Sequence, residues 1–95
     1  MPPIQFEWDP IKNASNYVKH GYFLAEVTSV FDDPQRRIID MERVDDEERF
    51  TILGNHDNRI LSVTSTIRAG KVRLISARPA SRKERRGYTA PNLGG

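Results

Sequence analysis

At 95 residues the chain has room for one domain, whose core would bury roughly 65% of the surface that the unfolded chain exposes. It has no cysteine, which excludes disulfides and thiolate metal sites and fits a reducing compartment. Eight basic residues and one acid lie between Arg68 and Arg86, against 15 Lys and Arg and 13 Asp and Glu in the whole chain, so an otherwise acidic sequence carries one basic element suited to an anionic partner.

The opening MPPIQFEWDP lacks a basic region followed by an apolar one, so it does not read as a secretory signal. No apolar run approaches the roughly 20 residues that span a bilayer. A cytoplasmic protein with no membrane partner is expected. Ile4, Phe6 and Trp8 alternate with polar residues as a first strand with one buried face. Asp9-Pro10 then reads as an N-cap and first helical position. Ile11, Ala14 and Val18 follow at helical spacing, and Gly21 is a stop. A second helix is marked by Phe23, Val27 and Val30, with Leu24 and Phe31 beside them, and ends near Asp32-Asp33-Pro34.

The period then changes to strands, at 36–41, 49–54, 60–67 and 71–77, with 45–48 as an acidic connection and Asn55–Asn58 and Ala69-Gly70 as turns. Ser81 and Glu84 form an S-x-x-E capping box that opens a final short helix. The tail at 89–95 is expected to be flexible. The fold class predicted is α+β: an N-terminal strand, two helices packed on one face of an antiparallel sheet, and a short C-terminal helix, all in a single domain.

The basic element runs from a strand into that last helix. Simple alternation puts Lys71, Arg73, Ile75 and Ala77 on one face and Val72, Leu74 and Ser76 on the other. Arg78 ends the strand, and Arg82, Lys83, Arg85 and Arg86 follow on the helix. Arginine forks beside a helix N-terminus suit phosphate oxygens. Cutting RNA through its own 2′-OH needs a proton acceptor, a proton donor and cations around the charged phosphorane. Arg73, Arg78 and Arg82 are candidates for the cations. His20, Lys19, Glu48, Glu84 and Tyr88 are candidates for the proton carriers, and each also has a structural reading: His20 at a helix end, Glu84 in the capping box, Tyr88 as packing, Glu48 paired with Arg49. His56 fits a hairpin turn, and two distant histidines make no metal site. No phosphate-binding glycine loop or serine nucleophile signature is present, and no cofactor is expected.

These residues form two ordered patterns. The first is Phe6, Trp8, Asp9, Lys12, Asn16, Lys19, His20 and Gly21, followed by Phe31, Asp32, Asp33 and Pro34. The second is Arg73, Ile75, Ser76, Ala77, Arg78, Ala80, Ser81, Glu84 and Tyr88, with Glu48-Arg49 between the two. From Phe6 to Tyr88 the chain resembles the BrnT family of type II toxins. The resemblance implies a RelE-type fold and a ribonuclease that blocks translation. It also implies neutralisation by a cognate, BrnA-like antitoxin, which carries the DNA-binding segment, so that operator DNA is met only through the antitoxin. Whether a ribosome presents the RNA stays open. By position the resemblance draws attention to Arg73, Arg78, Arg82, His20 and Tyr88 for catalysis. Lys19, Lys71, Lys83, Arg85 and Arg86 are the expected RNA contacts. One departure is Ser65, near the end of the central strand, where many relatives carry an aromatic residue or histidine. Two other readings use the same basic patch: a non-catalytic RNA- or DNA-binding module, and an interaction protein for an acidic partner.

Overall fold

The computed structural model describes residues 3–89, so residues 90–95 of the expected flexible tail lie outside the described residues. In chain order the elements are β1 (Phe6–Trp8), α1 (Pro10–His20), a 3₁₀ helix (Leu24–Asp32), β2 (Arg37–Val44), β3 (Glu47–His56), β4 (Arg59–Arg68), β5 (Lys71–Pro79) and α2 (Arg82–Thr89). The class is α+β, but the sheet is mixed. Its order is β1-β5-β4-β3-β2, with the meander antiparallel and β1 added parallel to β5.

The meander strands run longer than alternation alone predicts because each connection is only two residues. Asp45-Asp46, Asp57-Asn58 and Ala69-Gly70 all have positive φ, between 50° and 78°. That is the signature of the tight turns whose twist matches antiparallel strands. Asp and Asn tolerate this region and Gly adopts it freely. Glu47 and Glu48, expected in a connection, are therefore the first residues of β3.

Both N-terminal helices depart from expectation. The second is 3₁₀: Leu24, Val27 and Val30 recur every three residues, stack on one side, and are fully buried with Phe31. Phe23 lies outside this face. It is exposed and stacks on Tyr17 with ring centroids 4.3 Å apart. The 3₁₀ helix presses close to β3 at Gly54, where a Cβ would meet Val30 Cγ1 at 2.5 Å, so only glycine fits. Its residues meet Ile52, Leu61, Val63, Val72, Leu74 and Ala77 from the sheet, with Phe6 and Trp8 alongside. Phe6 meets Phe31 edge-on at 5.1 Å.

The first helix, α1, has its expected caps, with the Ile11 N–H donating to Asp9 Oδ1 at 2.8 Å and Gly21 at φ 83°. It does not bury Ile11, Ala14 and Val18, all of which are exposed. Its inward side is polar. Asn16 Nδ2 donates to Tyr22 O and Ala77 O, both at 2.8 Å, and Asn16 Oδ1 accepts from the Ala77 N–H at 3.0 Å. Asn16 thus takes both backbone groups of Ala77 on the outer edge of β5, past the point where β1 stops pairing at Leu74. Asn13 Oδ1 accepts from the Ala25 N–H and ties the 3₁₀ helix to α1. Helix α1 is a side-chain-mediated extension of the sheet edge, not a lid on its apolar face.

Candidate functional site

A β-bulge decides which side chains of β5 share a face. Thr64 pairs with Ser76, but the next residue, Ser65, pairs with Leu74, so Ile75 is the extra residue. Beyond it the alternation is reset. Ala77 joins Val72 and Leu74 in the core, and Ser76 and Arg78 join Lys71 and Arg73 on the opposite face. This corrects the simple alternation, which put Ala77 beside Arg73 and Ser76 in the core. The polar face is then built in rows across the strands. Glu7, Arg73, Thr66 and Arg49 form one row, Ser76, Thr64 and Thr51 the next, and Arg78, Ser62 and Leu53 a third. Arg73 and Arg78 are two rows apart, about 13 Å along the strands.

The first row is the most charged. Arg73 Nη1 donates to Glu7 Oε2 at 3.0 Å. At the edge of the row Arg68 grips Glu47, whose carboxyl is held below its usual range first by that hydrogen bond and more weakly by Arg49 and Arg73. At the other end of the row, across Thr66 from Arg73, Nε of Arg49 is buried with no hydrogen-bond partner among the described residues. A buried, unanswered guanidinium N–H is costly unless a ligand completes it. Thr66 Oγ1 donates to Glu48 O at 2.7 Å, and the Thr51 and Thr64 hydroxyls meet at 2.9 Å. A floor of hydroxyls thus lies beside Arg49 and Arg73.

Helix α1 borders this face. Because Asn16 fixes the helix to Ala77, Lys12, Ser15, Lys19 and His20 line a cleft of about 200 Å³ with Ile75 and Ser76. Ser76 is one row from Arg73. The cleft therefore opens onto the polar face with three basic side chains and no acid in α1 to offset them.

The other end of the face is covered by α2. Its capping box forms as expected: the Ser81 N–H donates to Glu84 Oε1 at 2.8 Å and the Glu84 N–H to Ser81 Oγ at 3.1 Å. Glu84 also receives both arms of the Arg78 fork, at 2.8 and 2.9 Å. Against the opposing effect of its partial burial, the Arg78 fork, helped by Ser81, holds the Glu84 carboxyl down at about 2. Folded, the group binds fewer protons than its ordinary value of 4.5 allows. The pair's stabilisation is therefore complete above pH 4.5 and is lost as pH falls towards 2. Thermal unfolding across that window is expected to show a falling midpoint in the wild type and a flatter profile in Glu84→Gln. Parallel profiles would refute the linkage.

Arg37 Nη1 donates to Gly87 O at 3.0 Å, and Tyr88 donates its hydroxyl to Asp33 Oδ2. Burial first, and then the Asp33 carboxylate, push the Tyr88 phenol up to about 12. Burial works against the Asp33 carboxyl, but donors from Tyr88, Gln35 and Asn55 hold it below its ordinary value. Tyr88 thus anchors the end of α2 next to the end of β3.

Of the candidate catalytic residues, Arg73 lies on the open face, and His20, with Lys19, lies in the bordering cleft. Arg78 is committed to Glu84 and Tyr88 to Asp33. Arg82 is exposed on the first turn of α2 and makes no hydrogen bond or ion pair among the described residues. Lys71 shares the open face, while Lys83, Arg85 and Arg86 are exposed on α2. Sequence reasoning noted Arg49 and Lys12 only within the two patterns, without a place in the site, and missed Glu7 and the threonine floor. The register set by the two-residue turns would have aligned Arg49 with Thr66 and Arg73. Ser65 is fully buried on the core side, so the departure there falls outside the open face. His56 Nδ1 meets Ser29 Oγ at 2.7 Å and its ring meets Tyr22, joining β3 to the 3₁₀ helix. Among the described residues no group of three His, Cys, Asp or Glu side chains is placed to hold a metal, and no helix is long and apolar enough to cross a membrane.

A family model described as the ribonuclease toxin BrnT of type II toxin–antitoxin systems matches residues 8–84. No curated protein matches the chain.

Proposed function

Because the chain belongs to the BrnT family of ribonuclease toxins of type II toxin–antitoxin systems, we propose that the open face of its sheet cuts RNA without a metal, by directing the 2′-OH onto the adjacent phosphate. The observation that carries this reading is the row of Arg73 and Arg49, with the Arg49 Nε unpartnered, beside a cleft lined by Lys19 and His20. The two guanidinium groups would hold the phosphate and take up the charge of the phosphorane. Imidazole is the side chain best suited to proton transfer near neutral pH, which makes His20 the first choice for the leaving 5′-oxygen. Glu7, held against Arg73, is a carboxylate in reach of the same phosphate and a candidate to accept the 2′-OH proton. Lys12, Lys19 and Lys71 would guide the strand in, and Arg82, Lys83, Arg85 and Arg86 would guide it out across α2. Arg78 and Tyr88 then serve by holding α2 in place.

In this reading the protein acts in the cytoplasm, inhibits translation and is neutralised by its cognate antitoxin. The mixed five-stranded sheet with a helix over one end of its polar face supports a RelE-type arrangement. The test is to incubate antitoxin-free protein with end-labelled RNA in excess chelator. Fragments ending in 2′,3′-cyclic phosphates are expected. Intact RNA, both free and on translating ribosomes, would instead favour the non-catalytic binding module.

A further inference from the structure

Helix α1 wears its polarity inside out. An ordinary surface helix turns its apolar stripe to the core. Here the inward contacts are made by Asn13 and Asn16, while Ile11 is 79% exposed, Val18 84% and Tyr17 50%. At 100° per residue, Tyr17, Pro10, Ala14, Val18 and Ile11 fall within an arc of about 120° that contains no charge. Phe23, stacked flat on Tyr17, extends this surface beyond the helix. Exposed apolar patches of this kind mark surfaces that another protein covers.

We propose that the outward arc of α1, together with Phe23, is the seat of the antitoxin, which lays an amphipathic, acidic segment along it. The proposal rests on the toxin reading above, and it adds the place and chemistry of the contact. Two observations select this occupant. The first is charge. Beyond Ser15 on one side of the arc, Lys19 and Lys12 follow within reach of their long side chains, and α1 has no acid, so a covering segment gains by carrying Asp or Glu along that side. The second is continuity. The same two lysines line the cleft with His20 and Ser76. A segment seated on the arc with its acids on Lys12 and Lys19 therefore reaches the mouth of the open face and shuts RNA out. An RNA strand has no use for the uncharged arc itself.

The test uses the full chain and its purified cognate antitoxin. Val18→Asp and Ile11→Asp change residues that are mostly exposed, so circular dichroism and RNA cleavage by the free protein are expected to stay as in the wild type. Antitoxin affinity by calorimetry is expected to fall roughly 30-fold or more, and the variants are expected to keep cutting RNA at antitoxin concentrations that silence the wild type. Met41→Asp, at an exposed apolar position on β2, is the control and is expected to bind normally. Unchanged affinity in both α1 variants would overturn the proposal, as would loss only in Met41→Asp. Self-association that Val18→Asp abolishes, with antitoxin binding intact, would assign the arc to a second copy instead. A wild type that binds antitoxin through this arc but cuts no RNA would sink the ribonuclease reading and leave the docking surface standing.

Discussion

Arg73→Ala is expected to slow RNA cleavage by about 100- to 1,000-fold, the usual loss when one preorganised charge donor is taken from a transition state. The fold should survive. The Arg73 side chain is 25% exposed and that of Glu7 33%, so losing the pair costs some stability, but water still reaches the Glu7 carboxylate left behind. Arg73→Lys keeps the charge but not the planar fork, and should fall between the wild type and the alanine variant. Single-turnover cleavage with saturating protein, read beside a thermal unfolding curve, separates the two contributions. A soluble, folded Arg73→Ala variant that cuts at the wild-type rate would remove Arg73 from the site. Arg49→Ala offers a parallel comparison, because its unpartnered Nε is expected to find its partner on the same phosphate.

The largest loss of stability is expected at Asn16. Asn16→Leu keeps most of the side-chain volume but strips the partners from the Ala77 N–H, the Ala77 carbonyl and the Tyr22 carbonyl. Buried groups left unpaired cost about 1–3 kcal/mol each, so a loss of about 3–5 kcal/mol is expected, a large part of what a small domain holds. Urea unfolding measures it. A loss below about 1 kcal/mol would mean that other groups or water take over these bonds. Activity should fall further than the unfolded fraction accounts for, because Asn16 is also what keeps Lys19 and His20 beside Ser76.

Where the sequence was legible, the cause was local. Asp9-Pro10 and Gly21 bracket α1 because caps act within one turn. Ser81 and Glu84 open α2 for the same reason. Alternation found the strands, and it failed at Ile75, where nothing in Leu74-Ile75-Ser76-Ala77 announces a bulge. The bulge is fixed by pairing with β4, and it alone moves Ala77 into the core and Ser76 onto the open face. The stripe Ile11, Ala14, Val18 was read correctly as helical spacing, but the expected packing of that helix on a face of the sheet did not bring the stripe inside. Periodicity shows that a helix is amphipathic, not which side meets the rest of the chain, and two asparagines made the polar side the inner one. The bonds Arg78–Glu84 and Tyr88–Asp33 engage two expected catalytic groups in structural contacts. The first lies within a capping box already visible, but the second joins residues 55 apart and has no local signal.

The parallel seat of β1 against β5 has a consequence for the protein's synthesis. Glu7 and Arg73 are 66 residues apart in the chain, and Asn16 and Ala77 are 61 apart. Both sides of the proposed site, the Arg73 row and the α1 cleft, close only when the first strand and first helix meet the last strand. Contacts this remote form late, after their loop-closure entropy has been met. A chain still growing through the meander has its N-terminal half in hand but no β5 to dock it. A ribosome making this chain therefore holds the proposed site in two separate halves until β5 has emerged, and the halves come together only with the closure of the sheet.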